Sequence, residues 1–272
     1  MNTFFFLVCI DIILIGFLIL WCNSKSTKKI AVITSIFGNY DNLKEHNINN
    51  KDKVDWYCFT DNTHIQNNTW TIINTPYHLE NIDAFDIQNT NSYPNIKHDQ
   101  KIYNMMCAKF YKAKAHTIDI LKKYDHFIWI DGSIILRPTF LDKMMEHTKH
   151  HELIQFKHST RDNIKDETNV SIQMEKYKSQ KINEQYAEYI NSGFPDKTGL
   201  FENTIMVRKN NNRCNAIYDK WWVHNLKYSY QDQISYPYVL WSLKEIPDYI
   251  IEKNVFNNDE YSYADFSLMT KH

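Results

Sequence analysis

The chain has 272 residues, 43% of them hydrophobic, with a formal net charge of −1. Such a length supports one large domain or two small ones with a sizeable core, and near-neutral charge without a basic stripe excludes nucleic acid as the main partner. Cys58, Cys107 and Cys214 are widely spaced and odd in number, which excludes a full disulfide framework.

The first element is Phe4 to Cys22, almost wholly apolar and interrupted only by Asp11. As a helix it spans roughly 28 Å, close to the hydrocarbon thickness of a bilayer. The start Met1-Asn2-Thr3 has no basic residue and Trp21-Cys22 is no small-residue cleavage site, so an uncleaved single-span anchor is favoured over a signal peptide. Residues 1–29 are therefore read as anchor and linker, and 30–272 as one further domain. Lys25, Lys28 and Lys29 draw the body to the cytoplasmic side. The sequons Asn67-Asn68-Thr69 and Asn169-Val170-Ser171 draw it to a lumen.

Ile30 to Phe37 is a β-branched strand, apolar on both faces as in the middle of a parallel sheet, and it ends in the turn Gly38-Asn39-Tyr40-Asp41. Val54 to Thr60 is a second strand, ending at Asp61, and Trp70 to Asn74 a third. Tyr77 to Asp99 is polar, without period, and reads as loop. Lys101 to Lys123 is expected to be a helix with Met105, Ala108, Ala115, Ile118 and Leu121 buried and Lys109, Lys112 and His116 on a neighbouring face. Phe127 to Ile130 is a short buried strand that stops at Asp131-Gly132-Ser133. Thr139 with Asp142 predicts a capping-box variant opening a helix to about His150. A strand at Leu153 to Phe156, a two-piece helix from Asp166 to Asn191 and a strand at Leu200 to Arg208 carrying Glu202 follow. Helices at Asn212 to Lys227 and Gln231 to Leu243 and a strand at Tyr249 to Ile251 complete the set. Strands alternating with helices in the first half predict an α/β fold with a mostly parallel sheet.

In such sheets ligands bind beyond the carboxyl ends of the strands. Asp131 stands where the sheet offers an oxygen to a cation, although a turn aspartate satisfied by nearby backbone N–H groups has the same sequence. Asp61 shares that edge, and Asp232 opens a helix, as ligand-facing acid or as N-cap. Lys109, Lys112 and His116 face a diphosphate or simply solvent. Trp221 and Trp222 offer a stacking surface or core. With five glycines in the chain, Gly38, Gly132 and Gly199 are candidate rims of one site, or ordinary turns. There is no P-loop, G-x-G-x-x-G, G-x-S-x-G or H-E-x-x-H motif. A sheet rimmed by carboxylates, suited to a metal-bound diphosphate, is what remains.

Six blocks in order, IAVITSIFGNYD (Ile30 to Asp41), DWYCFTD (Asp55 to Asp61), FIWIDGSI (Phe127 to Ile134), GLFENTIMVR (Gly199 to Arg208), Trp221-Trp222 and DQISYPYVL (Asp232 to Leu240), carry a resemblance. The chain resembles the glycosyltransferase-like family named after a plant turgor-regulation-defect protein and a plant mucilage-related protein. The resemblance implies a GT-A-like, Rossmann-type domain that moves a sugar from a nucleotide-sugar donor to a hydroxyl of a glycan, glycoprotein or glycolipid acceptor. It puts Asp131 and Ser133 at the place of the metal-binding D-x-D motif, for Mn²⁺ or Mg²⁺, with Ser133 replacing the second acid. A hydroxyl is the poorer ligand for either ion. The resemblance also implies a nucleotide-sugar pocket lined by Gly38, Tyr40, Asp61, Lys109, Lys112, Asp131 and Gln233, with Asp232 and Glu202 as candidate catalytic acids. A single-pass endomembrane enzyme (Golgi or ER) with its catalytic domain in the lumen fits that activity. Two alternatives remain: a non-catalytic sugar- or nucleotide-binding relative, and a ceramidase-like lipid amidase, which needs a metal-activated water and a gathering of His150, His151 and His158.

Overall fold

Ile30–Ile36 (β1) is buried at every residue, as a β-branched run without polar alternation requires when both faces of its sheet are covered. The computed structural model describes residues 29–75, 99–195 and 197–265. The apolar stretch Phe4 to Cys22 and most of the polar loop after Tyr77 lie outside the described residues. Among the described residues no helix is long and apolar enough to cross a membrane.

The other strands are β2 (Asp55–Thr60), β3 (Thr71–Asn74), β4 (His126–Ile130), β5 (Ile134–Leu136), β6 (Leu153–Lys157), β7 (Phe201–Lys209), β8 (Tyr249–Ile251) and β9 (Ser262–Ala264). Seven of them form one sheet in the order β3-β2-β1-β4-β7-β6-β8. β1 pairs in parallel with β2 and β4, β2 with β3, and β6 with β8. β7 is antiparallel to both its neighbours, β4 and β6. The sheet is therefore mostly parallel, with β7 the strand that runs against the rest. A separate antiparallel ribbon joins β5 to β9; the tail after Ile251, expected as loop, supplies that last strand.

The helices are α1 (Gln100–Ala113), α2 (Phe140–His147), α3 (Ile164–Ser171), α4 (Ile182–Asn191), α5 (Asn212–Lys227) and α6 (Asp232–Leu243). Alternate residues of β1 enter two cores. Ala31 and Ile33 join Phe127, Trp129, Trp221 and Trp222 on one face. Val32 and Ile36 join Ile128, Phe140, Met144 and Val207 on the other. The helices thus flank a sheet buried on both sides.

Two helix boundaries differ from expectation. α1 stops at Ala113, ten residues before Lys123, and the chain continues as 3-10 turns at Ala115–Thr117 and Asp119–Leu121. The Thr117 hydroxyl donates to the Lys114 carbonyl at 2.8 Å, offering the backbone a local alternative to the helix. Leu121 is still fully buried, because a 3-10 turn keeps the i, i+3 spacing. Thr139 makes no capping bond for α2. Its hydroxyl goes to the Glu260 carbonyl at 3.2 Å, and Asp142 accepts from Asn50 at 2.5 Å, so tertiary partners displace the capping box.

Candidate active site

A cleft of about 700 Å³ opens at the edge where β1, β4 and β6 end. Strand order reverses between β1 and β4 there, the crevice that α/β sheets use for ligands. Because β7 runs the other way, its first residues, not its last, reach the same edge. Glu202, Asn203 and Thr204 line the cleft for that reason.

One wall is built on lysines. Asp99 caps α1 by accepting from the N–H groups of Lys101 and Ile102, and three residues of spacing put Lys109 and Lys112 on one helix face. Both ammoniums bond Oδ2 of Asp232, Lys112 at 2.8 Å. Lys112 also lies 3.4 Å from Asp131 Oδ1, which accepts from Trp129 Nε1 at 2.6 Å. The Lys112 ammonium sits 5.6 and 5.8 Å from the ring centres of Trp129 and Trp221, a cation–π setting. Burial works to raise the Asp232 pKa, but the two lysines override it and hold it at about 2. For Lys112 burial pulls downward and the two aspartates prevail, so its pKa is raised; for Lys109 burial wins and its pKa is lowered.

The facing wall is built on amides and a second acid. Glu202 Oε1 accepts from the Ser159 N–H at 3.2 Å and its hydroxyl at 3.1 Å, and Oε2 from Gln233 Nε2 at 2.9 Å. Glu202 is 2% exposed, and burial raises its pKa. Behind it, His158 Nε2 lies 3.6 Å from both Glu202 and Glu167. His158 Nδ1 accepts from the N–H groups of Thr160 and Arg161 at 3.2 and 3.0 Å, so that nitrogen carries no proton. Burial, then the Arg161 charge, lowers the His158 pKa to about 4.

The rim between the walls comes from two turns. The Gly38 N–H donates to both Asp61 oxygens at 3.1 Å. A Cβ on Gly38, at φ +63°, would lie 1.9 Å from the Asn104 side chain. Across the rim a Cβ on Gly132 would approach Asp41 Oδ2 to 3.0 Å, so glycine there lets the Asp41 carboxylate pack against the β4-exit turn. Tyr40 lines the cleft, and burial, then Asp41 and Asp131, raise its phenol pKa.

A family model, the TOD1/MUCI70 glycosyltransferase-like domain, matches residues 22–272. The chain belongs to this family. No curated protein matches it.

In this TOD1/MUCI70 domain, Tyr40, Lys109, Asp131, Ser133, Glu202, Asp232 and Gln233 line one cleft. Lys112 lies beneath them, joined to both aspartates. Gly38 and Asp61 are not among the lining residues; the Asp61 carboxylate is taken up by the Gly38 N–H. Asp131 uses its carboxylate on Trp129 and Lys112, and Asp232 on lysines of α1, where backbone-capping roles were equally open. His116 falls beyond the end of α1 and meets Asp219 at 2.9 Å. Trp221 and Trp222 are both fully buried, so neither is a stacking platform; Trp221 Nε1 instead donates to the Asp232 carbonyl at 3.2 Å. His150 and His151 precede β6 and His158 follows it, so the strand holds them at opposite ends. Asn203, Ser159 and the cations Lys101, Arg161 and Lys176 also line the cleft. Sequence reasoning missed these, and only Asn203, next to Glu202 in an expected strand, carried any signal.

Proposed function

We propose that the protein is a membrane-anchored glycosyltransferase of GT-A type, moving a sugar from a nucleotide-sugar donor to a hydroxyl of a glycan, glycoprotein or glycolipid. One observation carries this reading. Two buried acids of opposite character, Asp232 held at about 2 by lysines and Glu202 raised by burial, face a single cleft at the sheet's carboxyl edge. A lysine wall suits a diphosphate leaving group, and a basic carboxylate opposite suits an acceptor hydroxyl.

In this reading Glu202 is the base. The acceptor oxygen bonds the anomeric carbon and its proton passes to Glu202, while the bond from that carbon to the diphosphate breaks and its electron pair leaves with the nucleotide. Asp232 is a poor base because both lysines claim it; it holds the Lys109 ammonium at the cleft wall, with the Lys112 charge beneath. Gln233 and Ser159 keep the Glu202 carboxylate in place.

The oxygen set at the β4 exit fits a divalent cation. It comprises the Asp131 carboxylate, the Ser133 hydroxyl and the Asp41 carboxylate packed against Gly132. Mg²⁺ commonly takes one or two carboxylates plus substrate phosphates. Among the described residues no three His, Cys, Asp or Glu side chains converge. When bound, Mn²⁺ or Mg²⁺ would neutralise charge on the departing diphosphate. The apolar stretch Phe4 to Cys22 supports a single-span anchor, and the sequons at Asn67 and Asn169 support a catalytic domain in the endomembrane lumen.

Thermal unfolding against a panel of UDP- and GDP-sugars, with and without Mn²⁺, tests the proposal. At a hundred times its Kd a ligand adds about 2.7 kcal/mol, a rise in Tm on the order of 5–10 °C. One donor should give that rise. A flat response across the panel would remove the donor site.

A further inference from the structure

We infer that Asn203 is a specificity-determining residue whose side-chain oxygen accepts a hydrogen bond from a hydroxyl or amide N–H on the transferred sugar. The inference rests on the nucleotide-sugar reading and deepens it. Asn203 is 2% exposed. Its Nδ2 donates to the Asp232 carbonyl at 3.1 Å, which fixes the amide orientation, since a carbonyl accepts only from a donor. Oδ1 is then left with no partner. Among the described residues, the other buried side-chain atoms without a partner, such as Thr34 Oγ1 and Gln155 Oε1, belong to residues that do not line the cleft. The orphan therefore coincides with the candidate site.

The backbone sets Asn203 apart as well. β6 and β7 pair regularly from Leu153–Arg208 to Gln155–Met206, and then Phe156 pairs with Glu202. Asn203, Thr204 and Ile205 have no partner on β6, which makes this an extended bulge. Bulges beside active sites re-aim side chains and interrupt pairing. An unpaired buried acceptor costs about 1–3 kcal/mol, so the fold retains a local defect where a ligand would relieve it.

Chemistry decides which part of a donor can do so. The diphosphate of a sugar nucleotide at neutral pH presents acceptors only. The sugar presents hydroxyls, and in some cases an amide N–H. Ribose hydroxyls and base N–H groups donate as sugar hydroxyls do, so the arms with UDP and GDP alone tell nucleoside from sugar. Asn203 Oδ1 and Glu202 are both acceptors, whereas Lys109 and Lys112 can only donate. The cleft is thus divided: phosphates belong against α1, and the sugar ring over the start of β7.

Asn203→Leu keeps the size and shape of the side chain and deletes both polar atoms. The Asp232 carbonyl still accepts from Trp221 Nε1 and Ser235 Oγ. Calorimetry with UDP- and GDP-sugars and with UDP and GDP alone reads the outcome, beside the Tm of each free protein. The expected result is a loss of roughly tenfold or more in affinity for the nucleotide sugar, unchanged affinity for the parent diphosphate, and a Tm equal to or above wild type. Equal losses for sugar nucleotide and diphosphate would overturn the assignment. So would a lowered Tm with sugar selectivity intact, in Asn203→Leu and also in Asn203→Ala, for that is a purely structural asparagine. A wild-type protein that binds UDP or GDP but discriminates against every attached sugar sinks the Asn203 role alone. One that binds no member of the panel sinks the donor reading itself, and the Asn203 role with it.

Discussion

The two walls of the cleft bury acids to nearly the same degree, with Asp232 at 4% exposure and Glu202 at 2%, yet the two titrate in opposite directions. Two ammoniums meet Asp232; amide and hydroxyl donors meet Glu202. Burial alone raises a carboxyl pKa; at Asp232 two full charges at close range reverse it, whereas the neutral donors at Glu202 do not. On the proposed reading the contrast separates a counter-ion from a base, although both residues are acids at the same sheet edge.

The largest test of that contrast removes the cation. Lys112→Met should cost about 3–5 kcal/mol, because it leaves the buried Asp232 carboxylate with one ammonium in place of two. Urea unfolding measures it. The double variant Lys112→Met/Asp232→Asn should recover part of the loss; simple additivity of the two single changes would break the pairing argument.

Much of this was legible in the chain, for stated reasons. The apolar runs of β1, β2 and β4 and the acids that end them follow from a sheet buried on both faces. Lys109 and Lys112 share a face by helical spacing. The direction of β7 was not legible, because LFENTIMVR, buried on both faces of the sheet, carries no sign of which way it runs. Strand direction is decided by tertiary pairing, and that reversal is what delivers Glu202 and Asn203. The end of α1 was hidden because Ala115, Ile118 and Leu121 satisfy helical and 3-10 spacing alike. Trp221 and Trp222 stayed open between stacking surface and core, because nothing local shows that Tyr236 of α6 packs on Trp221 and Phe110 of α1 on Trp222.

Acid should separate the walls next. His158 has its pKa lowered from 6.5 to about 4, so between those values the unfolded chain binds the extra proton. Stability therefore falls as pH drops from about 6.5 toward 4, by on the order of 3 kcal/mol for this residue. His46, also lowered to about 4 by burial, adds to the same window. Asp232 behaves the other way round. Its folded pKa of about 2 lies below its ordinary 3.8, so its contribution is complete above that ordinary value and is lost only as pH falls toward 2. Tm measured from pH 8 to 4 should be level above 7 and then decline. A level Tm down to pH 4 would contradict the neutral, buried His158.

The smallest effect concerns the rim beside the lysine wall. Gly38→Ala forces a side chain to φ +63° and against Asn104, a cleft-lining residue of α1. A cost of about 1–2 kcal/mol is expected from the left-handed conformation. A Tm matching wild type would mean that the rim yields without strain.

The central claim, that Glu202 takes the proton while Asp232 only positions lysines, is tested most directly by nucleoside diphosphate release from the donor that wild type binds. Glu202→Gln should keep donor affinity and lose roughly 10²–10⁴ in rate. The remaining activity should lack the acid limb that wild type shows above the ordinary glutamate pKa of 4.5. Release by Glu202→Gln at the wild-type rate, with the same pH profile, would contradict the account.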